Sequence, residues 1–178
     1  MKRILFLAVM AVMTLVASAQ STTVDASTGA TVQQQDPFIG KKFIDLEEPD
    51  QNGKMHKLSE YVGNGQWVLI DCWASWCPPC RAEMPFVVAA YNKYHKKGFN
   101  IVGLSFDQKK KAWLDAIKEL NMPWIHLSDL KGWKTVAAWV YNVEGIPACF
   151  LVDPKGIIVA RDLRGPQLEA KLREIFGQ

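Results

Sequence analysis

The chain has 178 residues, 21 basic and 18 acidic, with a formal charge of +3 at pH 7. That length is one ordinary domain with a short extension, and 49% hydrophobic residues are enough to build a core. A charge this small gives no electrostatic case for nucleic acid or an anionic membrane surface as partner.

Residues 1–19 have the layout of a secretory signal. Lys2 and Arg3 form a charged start, residues 4–16 an apolar core, and Ala17-Ser18-Ala19 supplies the small residues of a cleavage site. The apolar run is short of the ~20 residues a spanning helix needs, so the expectation is cleavage, with no membrane insertion afterwards. Cleavage removes two cations and no acids, which lowers the charge from +3 to +1. No cysteine precedes Cys72, which excludes a lipid-modified cysteine at the new N-terminus. Residues 20–36 are rich in Ser, Thr, Gln and Ala, without aromatic residues or an apolar period, and read as a flexible tether. The folded domain is expected over residues 37–178.

Residues 42–46 and 54–58 flank the turn-rich Glu48-Pro49-Asp50-Gln51-Asn52-Gly53 and predict an N-terminal hairpin. Residues 67–73 are a dense apolar run fit for a central strand. A helix over 78–97 follows, with proline tolerated in its first turn, Gly98 as its stop and a kink expected at Pro85. Residues 100–106 predict a strand and 109–120 a helix, begun by a solvated Lys109-Lys110-Lys111 face and ended by Asn121-Met122-Pro123. A short strand over 125–127, a short helix over 134–141, a hairpin of 148–152 with 157–161, and an amphipathic helix over 167–176 complete the chain. Strands alternating with helices imply an α/β sheet covered on both faces.

The most informative stretch is Trp76-Cys77-Pro78-Pro79-Cys80, directly after the apolar run. It sets two thiols one helical turn apart, so that they can bridge and open again with little backbone movement. The first sulfur stands where a helix begins. Unpaired N–H groups and partial positive charge there favour thiolate over thiol, and a drop from about 8.5 to about 7 would ionise roughly half of it. A sulfur at the helix edge is expected to be accessible and one a turn further in to be shielded. A structural zinc site would need a second C-x-x-C or a suitably spaced His pair, and neither is present. A purely structural bridge over so tight a loop would gain little from cross-linking the unfolded chain.

Together with Gly145-Ile146-Pro147 and the later Phe150-Leu151-Val152-Asp153-Pro154-Lys155-Gly156, this motif resembles the thioredoxin superfamily. Within it the chain is similar to the secreted TlpA/ResA-like thiol–disulfide oxidoreductases, over roughly residues 37–176. The resemblance implies a thioredoxin-like fold, a central mixed β-sheet with helices on both faces and an N-terminal β-hairpin extension. It implies Cys77 as nucleophile and Cys80 as resolving thiol of a redox-active disulfide, with no bound cofactor and no metal. Pro147 matches the cis-proline that faces the cysteines; Trp76, Pro78, Pro79 and Ile146 join it as substrate-contacting residues. Glu83 matches an acidic position of the subfamily, and Asp71 aligns with the buried acid of thioredoxin itself. Both are candidates for taking a proton from Cys80, against the alternatives of a solvated helix glutamate and a structural aspartate.

The signal segment and the redox motif together suggest a periplasmic protein, expected to be a monomer, and the resemblance implies that it reduces disulfide-containing envelope proteins. Electrons would come from a membrane-embedded thiol transporter, and cytochrome c maturation is one family substrate class. The alternatives are a disulfide oxidant or isomerase, and a non-enzymatic metal- or haem-protein chaperone on the same fold. A peroxidase is disfavoured because no Thr-x-x-Cys pattern surrounds Cys77. Cys72 and Cys149 depart from the family pattern. Lying on neighbouring strands, they are either a buried disulfide or two free core thiols. His56, His95 and His126 show no pairing with each other or with the cysteines and read as fold residues.

Overall fold

The computed structural model describes residues 36–177; the expected signal segment and the expected tether up to residue 35 lie outside the described residues, as does Gln178. Eleven regular elements follow in chain order. They are β1 (Glu47–Pro49), β2 (Met55–Lys57), β3 (Trp67–Trp73), α1 (Pro78–Tyr94), β4 (Phe99–Ser105) and α2 (Lys110–Glu119). Then come β5 (Ile125–Leu127), α3 (Val136–Val140), β6 (Ala148–Val152), β7 (Ile158–Arg161) and α4 (Pro166–Phe176).

The main sheet has the order β5-β4-β3-β6-β7. β4 runs parallel to β3 and to β5, whereas β6 and β7 are antiparallel to their neighbours, so the sheet is mixed. β3 takes the centre because it is apolar on both faces: every residue from Val68 to Trp73 is buried. A strand without polar alternation has to be covered above and below. Burial of Trp73, Trp113, Tyr94, Tyr141, Phe99, Phe106 and Phe150 supplies the core, each large side chain contributing about 1.5–3 kcal/mol when removed from water. This is the α/β thioredoxin-like architecture that the motifs imply.

The N-terminal hairpin is present with its second strand where expected, but its first strand falls later in the chain than the sequence pattern suggests. β1 pairs with β2 in the register Glu47↔Lys57 and Pro49↔Met55, around a turn where Asp50 Oδ1 accepts from the Asn52 and Lys54 amides. Residues 42–46 are not the first hairpin strand. Lys42 bridges Ile157, and the Phe43 amide donates to the Gly156 carbonyl at 2.8 Å. The reason is tertiary: the buried Tyr141 hydroxyl donates to the Ile44 carbonyl at 2.6 Å and accepts from its amide at 3.1 Å. The far end of the hairpin reaches the opposite edge of the sheet, where the Ser128 amide donates to the Pro49 carbonyl.

α1 continues through Pro85 to Tyr94, tightens into a 3₁₀ turn at His95–Lys97 and stops at Gly98, whose φ of 100° suits a residue without a side chain. α3 is shorter than its pattern predicts, because Thr135 is extended and a separate 3₁₀ turn occupies Gly132–Lys134. α2 begins with its three lysines exposed, as expected of a solvated face.

Candidate active site

The site lies where β3 hands the chain to α1. Cys77 and Cys80 are bridged, with an S–S distance of 2.05 Å and Cα atoms 5.3 Å apart. Cys77 is the N-cap of α1 and Pro78 and Pro79 occupy its first two positions, where a missing N–H breaks no helical bond. The Cys80 amide is therefore the first in the helix to carry a hydrogen, and it donates to Cys77 Sγ at 3.2 Å. The next amide, of Arg81, is already committed to the Cys77 carbonyl at 3.1 Å. One hydrogen bond thus directs the positive end of the helix onto the Cys77 sulfur.

The accessibility expected of Cys77 needs correction. Cys77 is 3% exposed and Cys80 0%, so the order is as expected but neither sulfur stands out from the surface. The cover comes from a distant part of the chain. The Ile146–Pro147 peptide bond is cis, and the Ile146 carbonyl oxygen lies 3.7 Å from Cys77 Sγ. Trp76, 51% exposed, flanks the pair and donates through Nε1 to the Phe106 carbonyl at 3.2 Å. Its ring is 6.5 Å from that of Trp133, which is also exposed. Trp76, Pro78, Pro79, Ile146 and Pro147 therefore gather around one disulfide.

Asp71 stands in the middle of β3, 4% exposed, with Oδ2 making no hydrogen bond. Burial pushes its carboxyl up to about 7; the Arg164 guanidinium opposes the rise and the Glu83 carboxylate adds to it. Glu83, one turn past Cys80, is partly buried and hydrogen-bonded. Its Oε1 accepts a short hydrogen bond from the Gly165 amide at the start of α4, which ties the cysteine helix to α4.

Cys72 and Cys149 are free and buried. The sheet register explains why they are not bridged. Cys149 lies opposite Asp71, and Cys72 opposite Ala148. Consecutive strand residues point to opposite faces, so the two sulfurs lie on opposite sides of the sheet. Burial pushes the Cys149 thiol up to about 12 and the Cys72 thiol well above its ordinary value, which favours the protonated thiol at both.

Three residues of the site carry no local sequence signal of comparable strength. Asp107 is buried and holds the segment before Cys77 in place, accepting from the Ser75 amide at 3.0 Å and the Ser75 hydroxyl at 2.5 Å. An acid just past the carboxyl end of a strand neighbouring β3 was a usable clue, since α/β sheets build sites there. Trp133 gave no signal among seven tryptophans. Arg164 gave none either, yet its Nη2 donates to the Pro147 carbonyl in a short hydrogen bond. Among the described residues no group of three His, Cys, Asp or Glu is arranged to hold a metal ion. His126 is fully buried, and desolvation pushes it down to about 3, with a backbone hydrogen bond to Met122 partly opposing the fall.

Comparison with known proteins agrees with this geometry. The sequence profile of the AhpC/TSA family matches residues 39–161. A thiol-disulfide oxidoreductase, ResA, of Bacillus thuringiensis subsp. konkukian is 30% identical over 146 residues, covering 82% of this chain and 81% of its own. The thiol:disulfide interchange protein DsbE of Escherichia coli is 34% identical over 125 residues, covering 68% of this chain and 63% of its own. Among solved structures, the thioredoxin domain of a thiol-disulfide oxidoreductase from Bacteroides vulgatus superposes with a TM-score of 0.71 at 32% identity. That match covers 78% of this chain and 97% of the other.

Proposed function

The chain belongs to the AhpC/TSA family and is a thiol–disulfide oxidoreductase of the ResA and DsbE kind, and from that premise we propose that it reduces protein disulfides through Cys77 and Cys80. The observation that carries the roles is the hydrogen bond from the Cys80 amide to Cys77 Sγ at the mouth of α1. It stabilises negative charge on Cys77 and offers none to Cys80.

In the reduced enzyme the Cys77 thiolate attacks one sulfur of a substrate disulfide. It forms a mixed disulfide and expels the other substrate sulfur as a thiolate. Cys80 then gives its proton to the ionised Asp71 carboxylate, and the resulting Cys80 thiolate attacks Cys77 Sγ. The Cys77–Cys80 bond forms, the mixed disulfide breaks, and the second substrate thiolate leaves and takes a proton from solvent. Two electrons have passed from the dithiol to the substrate. An acid whose pKa stands at about 7 is suited to this task, because it accepts and releases a proton near neutrality. Glu83, held by Gly165, contributes position and charge beside Asp71. Trp76, Ile146 and Pro147 supply the surface on which an extended substrate segment lies.

The setting completes the proposal. After signal cleavage the enzyme works as a monomer in the periplasm on disulfide-containing envelope proteins, those of cytochrome c maturation included. A membrane-embedded thiol transporter reduces it again. No helix among the described residues is long and apolar enough to cross a membrane. The experiment is trapping. In cells carrying Cys80→Ser, mixed disulfides between Cys77 and its partners should accumulate and be identifiable, and Cys77→Ser should yield none. Equal absence of adducts from both variants would overturn the mechanism, and redox titration against glutathione tests the direction.

A further inference from the structure

Between β7 and α4 the segment Asp162–Gly165 is held from three sides. The Asp162 amide donates to the Cys149 carbonyl at 2.8 Å, and the Cys149 amide donates back to Asp162 Oδ1 at 3.2 Å. The Gly165 amide donates to Glu83 on the cysteine helix. Between these ties sits Arg164, with about a third of its side chain exposed. Its Nη2 donates to the Pro147 carbonyl, its Nη1 to the Leu163 carbonyl at 3.2 Å, and Nη1 also lies 3.5 Å from Cys149 Sγ. Nη2 further pairs with Asp162 Oδ1 at 3.1 Å.

Cys149 is the cross-strand partner of Asp71, on the same face of the sheet. One guanidinium therefore touches the proline loop that covers the nucleophile and the side chain beside the buried acid beneath it. The charged and titratable groups that act on Asp71 are Cys72 on its own strand, Cys149 on β6, Glu83 on α1 and Arg164 in this segment. Arg164 is the one cation among them.

We propose that Arg164 is a positioning residue for disulfide exchange, fixing the Pro147 carbonyl at the substrate surface and serving as the countercharge when Asp71 ionises. The inference rests on Asp71 as the proton acceptor and adds the group that makes that role sustainable. A buried carboxylate with no cation nearby would stay protonated through neutrality and could take nothing from Cys80. The direction of Arg164's influence on the Asp71 carboxyl agrees, since it opposes the effect of burial. Because the same guanidinium grips Pro147, binding of substrate against the proline loop and ionisation of the acid beneath it share one anchor.

The test follows the Asp71 carboxyl by carbon NMR through a pH titration of the oxidised protein, in wild type, Arg164→Gln and Arg164→Lys. Loss of the charge in R164Q should move the Asp71 midpoint up by about one unit or more, and R164K should move it less. In R164Q the resolution of a mixed disulfide at pH 7 should slow by about fivefold to tenfold, following the lost carboxylate fraction. Both variants should raise KM for a disulfide-containing protein, because neither reproduces the planar two-pronged hold. An unmoved Asp71 midpoint in R164Q overturns the proposal. If R164Q does not fold, Arg164→Met takes its place and the same Asp71 midpoint decides: a raised value upholds the assignment, and a wild-type value refutes it. Asp71→Asn separates the two levels. Resolution at the wild-type rate in D71N, with the R164Q midpoint shift intact, removes the acceptor role of Asp71 and leaves the countercharge standing.

Discussion

At the scale of single residues, the chemistry turns on which amides at the start of α1 carry a hydrogen. With proline at positions 78 and 79, Cys80 alone supplies a free donor to the Cys77 sulfur. Pro79→Ala adds a second N–H in the first turn. One more hydrogen bond to a thiolate contributes about 1.5–3 kcal/mol, and 1.4 kcal/mol corresponds to about 30 mV for a two-electron couple. The reduced form gains that stabilisation, so P79A should be more oxidising by about 30–60 mV and its Cys77 should be alkylated at lower pH. A glutathione titration and an iodoacetamide pH profile that both match wild type would show that the first turn does not control the sulfur. The cysteines, the prolines and Asp71 were legible as residues. The pairing of Cys72 and Cys149 was not, because proximity of two strands says nothing of which face each side chain takes. One position of register put Cys149 opposite Asp71 and sent Cys72 to the other side.

At the scale of elements, most segments were legible, down to the short strands over 125–127 and 148–152, and the exceptions were the first hairpin arm and the start of α3. β3 falls on the residues its apolar run predicts, and α1 starts and stops at its Pro78 and Gly98 signals. Both are specified by many residues acting together. The hairpin arm over 42–46 was misplaced because its partner is set by one distant hydroxyl. Tyr141→Phe should therefore cost about 1–3 kcal/mol, the penalty for leaving the Ile44 groups unsatisfied in a part-buried place. Urea unfolding measures it, and a loss below about 0.5 kcal/mol would mean that the pairing of Lys42 and Phe43 with Ile157 and Gly156 holds the arm unaided. Ser75-Trp76 is a second case of remote control. Asp107→Asn keeps the shape but loses the charge that draws the Ser75 amide and hydroxyl together. The expected result is a several-fold slower reaction of Cys77 with substrate and a fold close to wild type. Unaltered single-turnover rates would exclude a positioning role for Asp107.

At the scale of the whole molecule, buried titratable groups set how stability varies with pH. Asp71 and Glu48 are both raised to about 7, chiefly by burial, with Thr135's hydrogen bond partly opposing the rise at Glu48. Each binds its proton more tightly folded than unfolded. Their stabilisation is full below the ordinary values of 3.8 and 4.5 and is lost as pH rises through about 7. His126 acts in the opposite sense: its value of about 3 lies below the ordinary 6.5, so its contribution is present above pH 6.5 and lost as pH falls toward 3. Two carboxyls outweigh one imidazole between about pH 4.5 and 6.5, and above that they act alone. Unfolding free energy should accordingly fall from pH 5 to pH 8, by at most about 1.4 kcal/mol per pH unit for each net proton. Glu48→Gln with Asp71→Asn should abolish that fall; equal wild-type stability at both pH values would contradict it. The sequence by itself determined the mixed α/β layering, the reactive pair and the proline loop that meets it. The layering and the reactive pair follow from local rules, a two-faced apolar run and a helix start after it, whereas the mixed sheet and the proline loop were legible only through the family resemblance. Only the tertiary structure decided how covered Cys77 is, that Glu83 is held by Gly165, that Cys72 and Cys149 stay apart, and that Arg164 joins the site. Each of those depends on groups far apart in the chain meeting within a hydrogen bond's reach, a distance that no local pattern encodes.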